Sequence, residues 1–267
     1  VLPPAKGKPV EMVSFVAIVS DVYHARPSVA AQDIVGWAFN AGFARLRGAN
    51  RAVWRETWRG RVKIDGSDDG IALDQATLDA AVFYLRSSAH PMSSQGIGIA
   101  GLSATEYGNG MMWDTMYYML QPLSVLDKDS AAAVATVQKR FLPAARDWAA
   151  LLGHRGARFP AAVEGRDGFS DATTYEVLDT GSTFGDGCIP IAVWQVATVL
   201  DNQVFYREVA FPVLRETAIF ILARGSWVRR NGMKTFAILD YSTDQGGILG
   251  GQTIDNPLAV STLFMQV

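Results

Sequence analysis

The sequence is poor in the residues that build several kinds of site. A single cysteine, Cys188, stands among 267 residues, so neither an internal disulfide framework nor a cysteine-type zinc site can be assembled, since both need several thiols. The three histidines, His24, His90 and His154, lie far apart without ligand spacing. No metal site is expected, although acid-rich calcium sites stay open. Charge of one sign is also scarce: the net charge is −2. That leaves no footprint for nucleic acid, whose binding is dominated by clustered Lys and Arg. No apolar run approaches the roughly 20 residues of a membrane-spanning helix. The expectation is a soluble chain.

Two further absences bear on compartment. There is no Asn-x-Ser/Thr sequon, and Val1 is followed by "LPPAKGKP" without a charged region leading into an apolar stretch. A mature, processed or trimmed terminus would look like this, so cytoplasm and exterior both stay open.

What is present describes an ordinary folded protein, 49% hydrophobic and 19% charged. "VEMVSFVAIVSD", from Val10 to Asp21, is β-branched and partly alternating and reads as a strand. Ser28 after Pro27 is placed to cap a helix over "VAAQDIVGWAFNAGFARL", which Gly36 and Gly42 weaken. "RVKID" is a short strand or extended link closed by the turn signal "GSDDG".

Helices then follow in series. Leu78, Val82 and Leu85 stripe the stretch from Ile71 to Ser87. A second runs from Thr115 to Val125. A third starts at Asp129 as N-cap and carries Val134, Val137, Phe141, Trp148 and Leu152, with Pro143 expected to kink or divide it. Ile191 to Leu200 and Phe205 to Ala223 form a pair joined by "DNQ", and a last helix is expected near Leu258. Helices joined alternately by short turns and long loops imply an all-α array, with chemistry sought in the loops at 90–112, 157–188 and 228–257.

"GIGIAG", from Gly96 to Gly101, fits G-x-G-x-x-G literally. Neither a strand before it nor a helix after it is expected, so it reads as a loop and not as a dinucleotide cradle. Cys188 has no nearby histidine in sequence, "GCIPI" lacks the G-x-S-x-G elbow, and His154 reads as a helix end. The aromatic set Trp54, Trp58, Tyr84, Tyr107, Trp113, Tyr117, Tyr118 and Trp148 could stack on sugars, though most of these rings are expected in the core. Asp114, Glu164, Glu176, Asp179, Asp186, Asp240, Asp244 and Asp255 are the candidate carboxylates; glycoside hydrolysis needs two such groups. Asp114 is set in the apolar "GNGMMWDTMYYM". It either caps a helix that turns inward or points into a pocket and holds a polar ligand.

"GLSATEYGNGMMWDTMYYMLQPL", "GHRGARFP", "IAVWQVATVLDNQVF", "FPVLRETAIFILAR" and "YSTDQGGI...IDNP", in this order, resemble glycoside hydrolase family 65, the trehalases, kojibiose-type α-glucosidases and disaccharide phosphorylases. The segments "SFVAIVSDVYHARPSVAAQDIV" and "ANRAVWRETWRGRVKIDG" resemble the end of that family's N-terminal β-domain and its linker-helix region. The resemblance implies a mainly α fold: part of an (α/α)6 toroid over 67–267, with a short N-terminal β remnant and linker helix over 1–66. It implies inverting attack by water or phosphate on an α-glucosidic bond, with no cofactor. The family pattern "GHVFWDTE" places Asp114 where an aspartate grips glucose hydroxyls, with Trp113 alongside and Tyr107 as a further substrate contact.

The departures are specific. Asp244, Gln245 and Gly246 stand where the family has Asp-Glu-Tyr with the glutamate as general acid. A glutamine amide cannot supply that proton, so Asp244 is the stand-in at the Asp244 and Gln245 catalytic position. Met116 replaces the glutamate after "WDT", Asn109 and Gly110 replace Gly-His, Ala161 and Ala162 replace Trp-Glu, and Ser182, Thr183 and Phe184 replace a Glu-x-His stretch. Family members continue well past "DNP", so the expectation is a fragment, a split product, or a half completed by a second chain or copy. The expected partner in the site is a small α-glucoside; the alternative is an inactive glucoside-binding or scaffolding pseudoenzyme.

Overall fold

The computed structural model describes residues 12–66, 70–93, 95–102, 110–160, 162–163, 184–230 and 232–238. The chain divides into two compact units, Val1–Ile71 and Ala72–Val267.

In the first unit no strand forms over residues 12–20, the described part of the expected one, nor over "RVKID". β-propensity alone does not make a strand. The single helix expected after Ser28 is two helices, α1 (Pro27–Ala41) and α2 (Phe43–Thr57). Gly42, with φ of 77°, separates them, a conformation glycine adopts without the Cβ penalty. Ser28 does not cap α1. Proline occupies the first helical position and Arg26 the cap, with no side-chain hydrogen bond. No described residue of this unit is buried.

The second unit is mainly helical and holds the core. α3 (Ile71–Ser87) has the expected bounds, and Leu85 from its stripe packs on the core. A π-helical turn, Thr115–Met119, leads into α4 (Leu120–Leu126). α5 (Lys128–Leu151) follows after one residue. Its N-cap is Asp127, not Asp129: the carboxylate accepts the Ser130 N–H at 3.2 Å and the Ser130 hydroxyl at 3.0 Å. Arg86, at the end of α3, ties into the same turn through the Leu126 carbonyl at 2.9 Å and the Asp127 carboxylate at 3.5 Å.

Pro143 neither divides nor ends α5. It lies on the exposed face, where a carbonyl that loses its helical N–H partner costs least because solvent is at hand. The helix ends as a Schellman motif: Gly153, at φ of 78°, donates to Ala150 and His154 donates to Ala149, both at 2.9 Å. His154 thus closes the helix, as its sequence context implies.

α6 (Phe184–Leu200) starts earlier than the apolar run suggests and passes through Pro190. Asn202 accepts the Val204 and Phe205 amides and opens a helical turn, Gln203–Phe205. A second π turn, Tyr206–Ala210, precedes α7 (Phe211–Arg224). Each π turn is followed within three residues by a proline, Pro122 or Pro212, whose missing N–H leaves the backbone free to insert the extra residue.

α5 packs against α4 and α6, α4 also meets α6, and α7 packs against α6 and α5. Met116, Leu120 and Leu123 meet Val134, Val137 and Phe141 of α5, Ile189, Val193 and Val196 of α6, and Val213, Leu214 and Phe220 of α7, all buried. Each such side chain contributes on the order of 1.5–3 kcal/mol of burial. The result is a partial α/α toroid. Two small antiparallel sheets accompany it: β1 (Met111–Met112) with β2 (Ala162–Val163), and a hairpin of β3 (Gly225–Arg230) with β4 (Met233–Ile238).

Candidate functional site

Residues 95–102 and 110–116 show why an acid sits among methionines and tyrosines. The Thr115 hydroxyl donates to the Ile97 carbonyl at 2.9 Å and the Ile99 amide to the Gly110 carbonyl at 3.2 Å. A Cβ on Gly96 would collide with the Met111 sulfur. The glycines of "GIGIAG" therefore let a loop lie flat against the strand that precedes Trp113.

Trp113 is buried and its ring tilts against Tyr118 at 5.7 Å and Tyr117 at 6.3 Å. Asp114 follows at the head of the π turn, half-buried and already helical in its backbone, with no side-chain capping bond. Of the two roles the sequence offers it, capping is excluded. Burial raises the Asp114 carboxyl above the ordinary carboxylate range, partly offset by a bond from its own backbone.

Cys188, in the opening turns of α6, feels the charge of Asp114. Its thiol is pushed up to about 12, first by burial and then by the negative charge of Asp114. A thiol held this high is no nucleophile. The carboxylate of Asp114 is thus within electrostatic reach of α6.

Asp186, in the first turn of α6, is buried and accepts the Phe159 amide at 2.9 Å. Its carboxyl is raised to about 7 by desolvation, against the opposing charges of Arg158 and Arg224 and the Phe159 bond. Arg158 is buried, with its guanidinium 6.0 Å from the Trp148 ring centre. Arg158 and Arg224 carry no signal in the sequence beyond a charge set among apolar neighbours; only the fold brings them to Asp186.

Of the other sequence candidates, Trp54 and Trp58 stack on each other at 6.2 Å within the first unit. Tyr84 is exposed and Trp148 half-buried. Tyr107, Asp244 and Gln245 lie outside the described residues, as do Asn109, Ala161, Ser182, Thr183, Glu164, Glu176, Asp179, Asp240, Asp255 and the helix expected near Leu258. Of Ala162 and Phe184 only the backbone is described, in β2 and at the start of α6. An open cleft of about 700 Å³ beside α5, lined among others by Met92, Asp129, Arg140 and Phe205, does not include Trp113 or Asp114. Neither does one of about 310 Å³ between α4 and α6. Among the described residues no three His, Cys, Asp or Glu side chains gather as metal ligands, and no helix is long and apolar enough to cross a membrane.

Mutually packed helices, with an acid at the head of each of two neighbouring ones, define a protein of the α/α-toroid class. The chain belongs to glycosyl hydrolase family 65: that family's central catalytic domain matches residues 79–239. It is similar to a kojibiose hydrolase of Flavobacterium johnsoniae, 26% identical over 220 residues, covering 82% of this chain and 31% of the relative. A nigerose phosphorylase of Lachnoclostridium phytofermentans is 28% identical over 181 residues, covering 65% of this chain and 23% of its own length. A kojibiose phosphorylase of Escherichia coli is 31% identical over 121 residues, covering 44% of this chain and 16% of its own. In structure the chain is similar to a putative kojibiose phosphorylase from human microbiome, with a TM-score of 0.66, 21% identity, and coverage of 77% of this chain and 30% of that one. The chain spans about a third or less of the length of these relatives.

Proposed function

We propose that this chain is part of a family 65 protein that takes α-linked glucose disaccharides of the kojibiose, nigerose or trehalose type, with Asp114 accepting hydroxyls of one glucose beside the Trp113 indole. The observation that carries the reading is the partly desolvated Asp114 carboxylate, free of capping duty and directly after a buried indole, inside the catalytic-domain match. In an active enzyme the glycosidic bond is broken with inversion, and Asp244 is the stand-in acid. Gln245 favours a second reading, a glucoside-binding protein without turnover, because an amide has no acidic proton to give. Val125 and Tyr118 are 73% and 60% exposed on the α4 flank, which supports a second chain or copy covering that side.

Calorimetric titration of the native protein with glucose, kojibiose, nigerose and trehalose tests the reading. Binding of a disaccharide, weakened about 10- to 100-fold in Asp114→Asn, is expected from loss of hydrogen bonds to a charged acceptor. Absence of binding to all four sugars overturns it. Release of glucose separates the enzyme from the binder. In the binder, Gln245→Glu restores turnover only if the second carboxylate is present.

A further inference from the structure

Asp186 has no part in the reading above, yet it is buried and its environment is unusual. Residues 157–159 form a strap in which three successive amides each go to a different helix. Ala157 donates to the Glu216 carbonyl of α7 at 2.9 Å, Arg158 to the Ala145 carbonyl of α5 at 2.8 Å, and Phe159 to Asp186 Oδ1 of α6 at 2.9 Å. The first two acceptors are backbone; the third is a side chain. It is also the nearest to β2, whose Ala162 and Val163 pair with Met112 and Met111, the two residues before Trp113 and Asp114. The second oxygen, Oδ2, has no hydrogen-bond partner among the described residues, and the charges of Arg158 and Arg224 act on the carboxyl as a whole.

A route therefore runs from α6 toward Asp114, through Phe159 and the strap to the β1–β2 pair. We propose that Asp186 is a positioning residue: by holding the Phe159 amide it fixes the strap at α6 and thereby sets where the Trp113–Asp114 pair points. The proposal rests on the glucoside reading only where sugar affinity is the readout.

The test compares Asp186→Ala, which removes the acceptor, with Asp186→Asn, which keeps one, in the native protein, with Asp114→Asn as reference. Three quantities are read well below each variant's melting temperature. These are calorimetric affinity for kojibiose, emission of Trp113 as the difference from Trp113→Phe, and amide exchange across 111–114 and 157–163. Asp186→Ala is expected to lose about tenfold or more in affinity, as misplaced site groups do, to shift Trp113 emission and to speed exchange in both segments together. Asp186→Asn is expected to restore most of all three.

A folded Asp186→Ala with unchanged emission and unchanged exchange at 111–114 overturns the proposal, even if Asp114→Asn abolishes binding. If Asp114→Asn leaves binding intact, the glucoside reading falls, and emission and exchange alone decide the role of Asp186. Should Asp186→Ala not fold, Asp186→Leu, which keeps the branching and the number of side-chain heavy atoms, is read in the same way. Should neither fold, exchange in the unaltered protein decides: Phe159, Ala162 and Met112 opening with one common free energy supports the strap, and independent opening overturns it.

Discussion

Burial acts on Asp114, Asp186 and Cys188 in one direction, away from the charged form. For Asp186 the consequence for stability has a definite sign. Its folded value of about 7 lies above the ordinary 3.8, so between these values the folded chain holds a proton that the unfolded chain has released. Its contribution is complete below about 4, declines as pH rises through that window, and is constant above about 7. Urea unfolding of wild type and Asp186→Asn at pH 4.5 and 7.5 is expected to show this decline, on the order of a few kcal/mol, in the wild type only. Asp114 has the same sign of shift, so glucoside affinity is expected to weaken as acid protonates its carboxylate at a higher pH than for an ordinary aspartate, a trend read by calorimetry across pH and absent in Asp114→Asn. Cys188 is expected to resist iodoacetamide in the native protein and to react once unfolded, as peptide mass spectrometry would show. The Trp113–Asp114 pair was legible in the sequence because adjacency is local and a resemblance pointed to it. The Asp186, Arg158 and Arg224 group was not, since nothing in a linear pattern brings residues so far apart to one buried point.

Elements with a clean apolar stripe were readable close to their ends, α3 and α5 above all. What escaped were features decided by a single backbone position: the break at Gly42, the cap at Asp127 two residues before the expected one, and the unbroken passage of α5 through Pro143. The π turns escaped as well, because a helix with one extra residue has almost the same composition as one without. The cap gives a direct test: Asp127→Ala is expected to cost about 0.5–2 kcal/mol, measured by denaturant unfolding. The strap gives a sharper one. A Cβ at Gly156 would lie 2.4 Å from the Glu216 carbonyl oxygen and closer still to the Phe220 nitrogen, both backbone atoms of α7, and Gly156 has φ of 92°. Gly156→Ala is therefore expected to destabilise by about 3 kcal/mol or more, visible as a large fall in melting temperature.

Across the molecule, stability is unevenly distributed. The second unit holds the contiguous core of α4 to α7, whereas α1 and α2 contain no buried residue. Hydrogen exchange is expected to be slowest in α5, α6 and α7 and fast throughout α1 and α2, because helices without a packed face open at little cost. The two π turns bear on how chain length relates to aim. Each holds one residue more than a plain helical turn, so deleting Tyr118 would let the segment relax into regular helix with Leu120 and all that follows left in place. The π turn absorbs that residue locally, so Asp114 would keep its side of the helix axis, whereas the same deletion from a plain helical turn would swing it by about 100°. A shorter chain would gain regularity here without changing where its acid looks.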